Sequence, residues 1–413
     1  MSFLTRWFRK VPRAPLHPPR QFPTHRGPLL PVQQLLEEET LPRYSAEHYY
    51  PARIGEVLGS RYQIVSKLGF GSTSTVWLAR DLNSNQHVAL KVFVLSQAVG
   101  GPASQELGIH ARLASSPQDH PGREAIPHML GHFEVPSAEG DHQCLVHQPL
   151  WNNLQTYLDE PPNGRLSKEA LANVLYNVFK ALDYLHTECQ IVHTDIKPDN
   201  IMFGFKDDAA LEAVEQAEVD NPSPRKEIDG RVVYRSRRLP EPRNIGPPVL
   251  CDFGSALSGP QLRDIDVQPD EYRCPEMILD IPWDNKIDVW NVGCMIWDIF
   301  EGEHLFRGID PEFKVYRGRA HLAEMIAVLG QPQPGLIDRG RLKSKFFSDT
   351  YEWQAGNDLL PPTSLEQLEK RLEGNDKELF IDFMNKMLQW APEDRQTPEE
   401  LMYDPWLMRH VRG

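Results

Sequence analysis

Cysteine is scarce in this chain: five residues in 413, widely scattered and without a C-x-x-C pair. That excludes a disulfide framework and argues against a structural zinc site, so a reducing compartment, cytosol or nucleus, is expected. No apolar run approaches the roughly 18–20 residues needed to cross a bilayer, so no transmembrane segment is expected. Acids are absent from the first 36 residues, which carry Arg6, Arg9, Lys10, Arg13, Arg20 and Arg26. With a net charge of −14 for the whole, +6 in this arm leaves −20 for the remainder. Such an acidic body disfavours direct binding of nucleic acid and favours basic partners, basic protein substrates among them, although surface acids also serve solubility alone.

Periodicity is also missing from residues 1–45, which are rich in Pro and Arg and read as a disordered arm. Its basic, amphipathic opening also fits an organellar presequence, though the prolines from Pro12 onward would stop that helix early. Residues 46–61 form an extension expected to pack on the domain that follows. Strand patterns cover Tyr62–Leu68, Thr75–Arg80 and His87–Val94, and helical patterns cover Ser104–Leu113, Glu169–His186 and Asp288–Phe300. Strands first and helices afterwards predict an α+β, bilobal fold, with a small β-rich lobe over residues 62–150 and a larger α-helical lobe over 151–407. Residues 207–248, acidic and then Arg- and Pro-rich, read as a mobile surface insertion.

The chemistry-bearing residues appear as an ordered series. Leu68-Gly69-Phe70-Gly71-Ser72-Thr73-Ser74-Thr75-Val76 places two glycines between strands, where backbone can fold closely over phosphates. Alone this is a weak signal, equally compatible with a plain hairpin. Lys91 stands inside an apolar strand and needs a phosphate and a carboxylate; Glu106 is the available acid. The segment His193-Thr-Asp195-Ile-Lys197-Pro-Asp-Asn200 is far more specific. Asp195 can accept a hydroxyl proton, Lys197 can neutralise a transferring phosphoryl group, and Asn200 can hold Mg²⁺. Asp252-Phe253-Gly254 then offers a second Mg²⁺ ligand, and Glu276 and Arg395 are suited to a buried ion pair.

Over about residues 60–410 this order resembles the eukaryotic protein kinase signature. The resemblance implies that ATP lies under Leu68–Val76, that Ala89 and Met202 sandwich adenine, and that Gln148 and Leu150 offer it backbone groups. It also implies that Lys91 and Glu106 form an activating pair and that Asp195 is the catalytic base. Tyr272-Arg273 before Pro275-Glu276, with a long insert over about 304–370, resembles the CMGC group. Within that group, Tyr50–Val57, Ser74–Arg80 and His193–Asn200 are similar to the SR-protein kinases, especially their compact fungal relatives. The resemblance implies a monomer that phosphorylates serine, and in some cases threonine, in Arg/Ser-rich proteins such as splicing factors. Thr194 stands where many kinases have an Arg that binds a phosphorylated loop, and only Ser255, Ser258 and Tyr272 carry hydroxyls between Gly254 and Cys274. Both features imply activity without loop phosphorylation. The alternative from another class is a pseudokinase scaffold, which would bind partners with the same fold and no turnover. Loss of Lys91, Asp195, Asn200 or Asp252 would have favoured it, and all four are present.

Overall fold

The computed structural model describes residues 16–23, 27–95, 101–160, 164–205, 208–242, 244–259, 264–356 and 359–411. In chain order come strands β1 (Val57–Leu58), β2 (Tyr62–Phe70), β3 (Ser74–Asp81) and β4 (His87–Phe93). Helix α1 (Pro102–Ser115) precedes β5 (Met129–Pro136), β6 (Asp141–His147) and β7 (Leu150–Asn153). Helix α2 (Lys168–Tyr184) leads to β8 (Ile191–Val192) and β9 (Ile201–Phe205). Helix α3 (Ala209–Asp220), the hairpin β10–β11 (Arg225–Ile228, Arg231–Tyr234), β12 (Ile245–Leu250) and β13 (Leu257–Ser258) follow. Among the later helices are α4 (Lys286–Glu301), α5 (Gly318–Leu329) and α6 (Gly374–Asn385). The chain divides into two units, one of residues 1–103, 128–151 and 205–245, the other of 104–127, 152–204 and 246–413.

The first unit is built on a six-stranded sheet in the order β1-β2-β3-β4-β6-β5. Alternation along β3, β4 and β6 sends Trp77, Leu90, Val92, Cys144 and Val146 to one face, where they join Ile54, Ile64 and Tyr62 in a buried cluster. The register pairs Val76 with Lys91, and Ala89 with both Leu78 and His147. Val76, Ala89 and Lys91 therefore share the opposite face.

Residues 207–248 correct the expectation of a mobile surface insertion. They contain α3 and the β10–β11 hairpin, which pack on the strands of the first unit. The helix was hidden because its contacts are charged. Glu218 is buried and accepts from Ser66 Oγ at 2.7 Å, Arg237 Nε at 2.7 Å and Ser223 N at 2.9 Å. Glu215, also buried, lies 2.7 Å from His87 Nε2 and accepts from Arg20 Nη1 at 3.2 Å. Of the arm expected over 1–45, residues 1–15 and 24–26 lie outside the described residues. From residue 27 the chain lies along the insertion, with Leu29 bridged to Arg225. Lys226, fully buried, donates to Gln34 O at 3.0 Å and pairs with Glu39.

The second unit is helical around α2 and α4. Of the sixteen residues of α4, only Lys286 and Asp298 are not buried. The ion pair expected of Glu276 and Arg395 is present, bidentate at 2.7 Å for each contact and with both side chains excluded from solvent. Cys274 precedes it, fully buried, and burial pushes its thiol pKa well up. A small neutral side chain is what this position accommodates.

Candidate active site

The segment 193–200 is held from below by one carboxylate. Asp288, near the start of α4 and fully buried, accepts from His193 N and Thr194 N, each at 2.8 Å, and lies 2.8 Å from His186 Nε2. Asn291, one turn on, donates to Ile196 O at 3.2 Å. Thr194 adopts φ +70°, a region that β-branched residues avoid at a cost of about 1–3 kcal/mol. Two bonds hold it there: its N–H to Asp288 and its hydroxyl, which donates to Ser255 O at 3.0 Å.

That anchorage presents Asp195, Lys197 and Asn200 together. Lys197 Nζ donates to Asp195 Oδ1 at 3.1 Å and Oδ2 at 2.9 Å. Asn200 Nδ2 donates to Asp195 O at 2.7 Å and Oδ2 at 3.0 Å. Because its amide nitrogen is committed to Asp195, the Asn200 side-chain carbonyl remains as an oxygen ligand for a cation. Cys251 N donates to Asn200 O at 2.8 Å, and His193 Nε2 lies 3.0 Å from Cys251 O, so the chain leading into Asp252 is stitched to this loop. Asn200 and Asp252 offer hard oxygen donors that could hold a divalent cation.

Asp252 itself takes φ +63°, and Phe253 turns inward, 5.4 Å from the His193 ring and 5.7 Å from the His110 ring. A Cβ at Gly254 would lie 3.3 Å from Asp252 Oδ1 and 3.4 Å from Glu106 Oε2, a tight fit that the two carboxylates would have to relieve by shifting slightly. The buried Glu106 carboxylate on α1 thus stands beside the Asp252–Gly254 turn. Cys251 is buried, with its thiol donating to Val249 O at 3.6 Å. Met202, on β9, is half-buried in the second unit.

The remaining expected residues belong to the first unit. Leu68–Val76 form the end of β2, its turn and the start of β3, closed by Gly71 N donating to Ser74 O at 2.8 Å. Neither glycine is demanded by packing: a Cβ at Gly69 would meet nothing within 4 Å, and at Gly71 only Ser74 O at 3.9 Å. Lys91 Nζ lies 5.2 Å from the Phe93 ring, and Ala89 is buried beside it on β4. Gln148 is exposed just after β6, and Leu150 opens β7. Sequence reasoning passed over Asp288 and Asn291 as site residues. Their signal was present, an acid and an amide three residues apart inside an otherwise apolar helix.

The Protein kinase domain family matches residues 62–217 and 241–407, and the chain belongs to it. The stretch skipped by the match, 218–240, covers the end of α3 and the β10–β11 hairpin. A serine/threonine protein kinase of Aspergillus fumigatus is 37% identical over 409 residues, covering 98% of each chain. The serine/threonine-protein kinase SRPK of Physarum polycephalum is 30% identical over 392 residues, covering 90% of this chain and 91% of its own. Human SRSF protein kinase 3 is 23% identical over 530 residues, covering 91% and 93%. The chain is a serine/threonine protein kinase with relatives among the SR-protein kinases, and nucleotide and divalent-metal use go with that family.

Proposed function

We propose that this kinase transfers the γ-phosphate of Mg-ATP to serines in Arg/Ser-rich proteins, with splicing factors as the substrate class. The observation that carries the chemistry is the anchored loop in which Lys197 and Asn200 both bond the Asp195 carboxylate. In this reading Asp195 orients and deprotonates the substrate hydroxyl. By the likeness to protein kinases, Lys197 and Lys91 would balance charge on the phosphoryl oxygens, with Glu106 as the expected partner of Lys91, and Asn200 and Asp252 would hold Mg²⁺. Leu68–Val76 cover the phosphates, where the two sterically unconstrained glycines allow close approach. Ala89 and Met202 flank adenine, and Gln148 and Leu150 offer it backbone groups.

Support for a basic substrate comes from the relatives named SRPK and SRSF protein kinase 3, and from a cavity of about 350 Å³ beside the short helix Pro275–Leu279. Asp264, Asp266 and Asp280 line it together with Ile278, Trp283 and Tyr316. The acids already bond cations, Asp266 with Arg273 at 3.0 Å and Asp264 with Arg341 at 3.3 Å. Both carboxylates stay largely exposed, at 68% and 60%, so each can also accept from a substrate arginine beside the cation it already holds.

The test is phosphate transfer to an Arg-Ser repeat peptide, run beside a Pro-directed peptide. Labelling of the first that vanishes in Asp195→Ala and Lys91→Ala, with the fold retained, is the expected result. Labelling of the Pro-directed peptide alone would discard the substrate class.

A further inference from the structure

A glycine-bearing turn has more backbone freedom than any other, so something must choose the direction in which its peptide groups point. In the first unit one side chain makes that choice. Tyr49 is buried, and its hydroxyl donates to Gly71 O at 3.0 Å and to Ser72 O at 3.4 Å. A trans peptide unit is planar, with its C=O and N–H opposed. Drawing the carbonyls of Gly71 and Ser72 toward Tyr49 therefore turns the amides of Ser72 and Thr73 to the other side. Two consecutive amides facing one way make a nest for anionic oxygens.

Tyr49 is itself held at several points. Its ring lies 5.1 Å from that of Tyr44, and its carbonyl accepts from the Arg231 guanidinium of the β10–β11 hairpin. The neighbouring His48 O accepts from Leu95 N, just past β4, at 2.8 Å. Farther back, the buried Lys67, two residues before Gly69, pairs with Glu38 and donates to Tyr234 O at 3.2 Å. The extension and the insertion thus grip both the entry and the tip of the glycine turn. Burial and the charge of Glu38 raise the pKa of Tyr49, keeping its hydroxyl a donor through the neutral range.

We propose that Tyr49 is a positioning residue for the nucleotide: its hydroxyl aims the Ser72 and Thr73 amides at the phosphates, and the extension and insertion hold it in place. The proposal rests on the reading that Leu68–Val76 cover ATP, and the test separates the two. Mg-ATP and adenosine binding are compared in the full-length chain and in Tyr49→Phe, by displacement of a fluorescent nucleotide. Phe keeps the ring and removes only the donor. Affinity for Mg-ATP should fall about fivefold, the worth of one hydrogen bond, while affinity for adenosine holds. In turnover, KM for ATP should rise by a similar factor with kcat at saturating ATP unchanged. Arg231→Ala, which leaves the hydroxyl but loosens its support, should show the same selectivity at smaller size. Unchanged Mg-ATP affinity in Tyr49→Phe, or an equal loss for adenosine, would overturn the proposal. A wild-type chain that does not bind Mg-ATP would instead sink the underlying nucleotide reading.

Discussion

Asp288 illustrates how a single buried acid can hold the candidate catalytic segment 193–200. Its two oxygens serve two backbone amides and face one imidazole, all within 2.8 Å. Replacing it by Ala strands these groups and releases the strained Thr194, which should cost about 3 kcal/mol of stability. Displacing Asp195 by about an ångström should also lower kcat roughly 100-fold. Chemical denaturation and the peptide assay would measure the two effects. Asp81 carries a pH prediction. Burial works to raise its carboxyl, but a bidentate Arg61 at 2.7–2.8 Å, Asn83 N and Ser84 Oγ outweigh that and hold its pKa at about 2. A carboxyl held below its ordinary 3.8 adds stability that is complete above that value and is lost as pH falls toward 2. Arg61 is nearly half exposed, so solvent screening leaves about 1 kcal/mol for Asp81→Asn at pH 7, shrinking to about half at pH 3. Denaturation midpoints of both proteins at the two pH values check this, and an equal loss at pH 3 would refute it.

Among the elements, α3 is the one whose worth lies in charge pairing. Its Glu218 is shared by Ser66 of β2, Ser223 and Arg237, all within the first unit. Glu218→Ala leaves a partly buried guanidinium without its carboxylate and should destabilise that unit by about 3 kcal/mol. A change within 0.5 kcal/mol in urea unfolding would show the contact to be incidental. The segment after Gly254 is tied down differently. β13 pairs with β8, Gly259 N donates to Gln190 O at 2.8 Å, and Gln268 bridges Cys274 N to Asn291. These bonds need no phosphate, so Ser255→Ala should keep kcat/KM within about twofold, because it is the Ser255 carbonyl that accepts from Thr194 Oγ1. A tenfold loss would contradict that account.

For the molecule as a whole, a net charge of −14 gives long-range attraction to cationic substrates that salt screens. KM for an Arg-Ser peptide should therefore rise several-fold between about 0.05 and 0.5 M salt, whereas KM for an uncharged serine peptide should change little. Equal salt dependence would remove electrostatics from substrate choice. The sequence by itself determined the family and marked out the candidate site residues. Transfer of a phosphoryl group needs a base, two metal ligands and a lysine in a set order, and Asp195, Lys197, Asn200 and Asp252 have few other reasons to occur together. It also determined strands β2, β3 and β4 and the helix α4, because apolar periodicity is local. Only the tertiary structure decided the place of residues 207–248, the depth of Asp288 and the role of Tyr49. Glu215 meets His87 and Arg20 across 128 and 195 residues of sequence, and Tyr49 meets Gly71 across 22. Charge pairing and hydrogen bonding depend on distance in space, so a buried acid looks like a solvated one until the fold brings its partners to it.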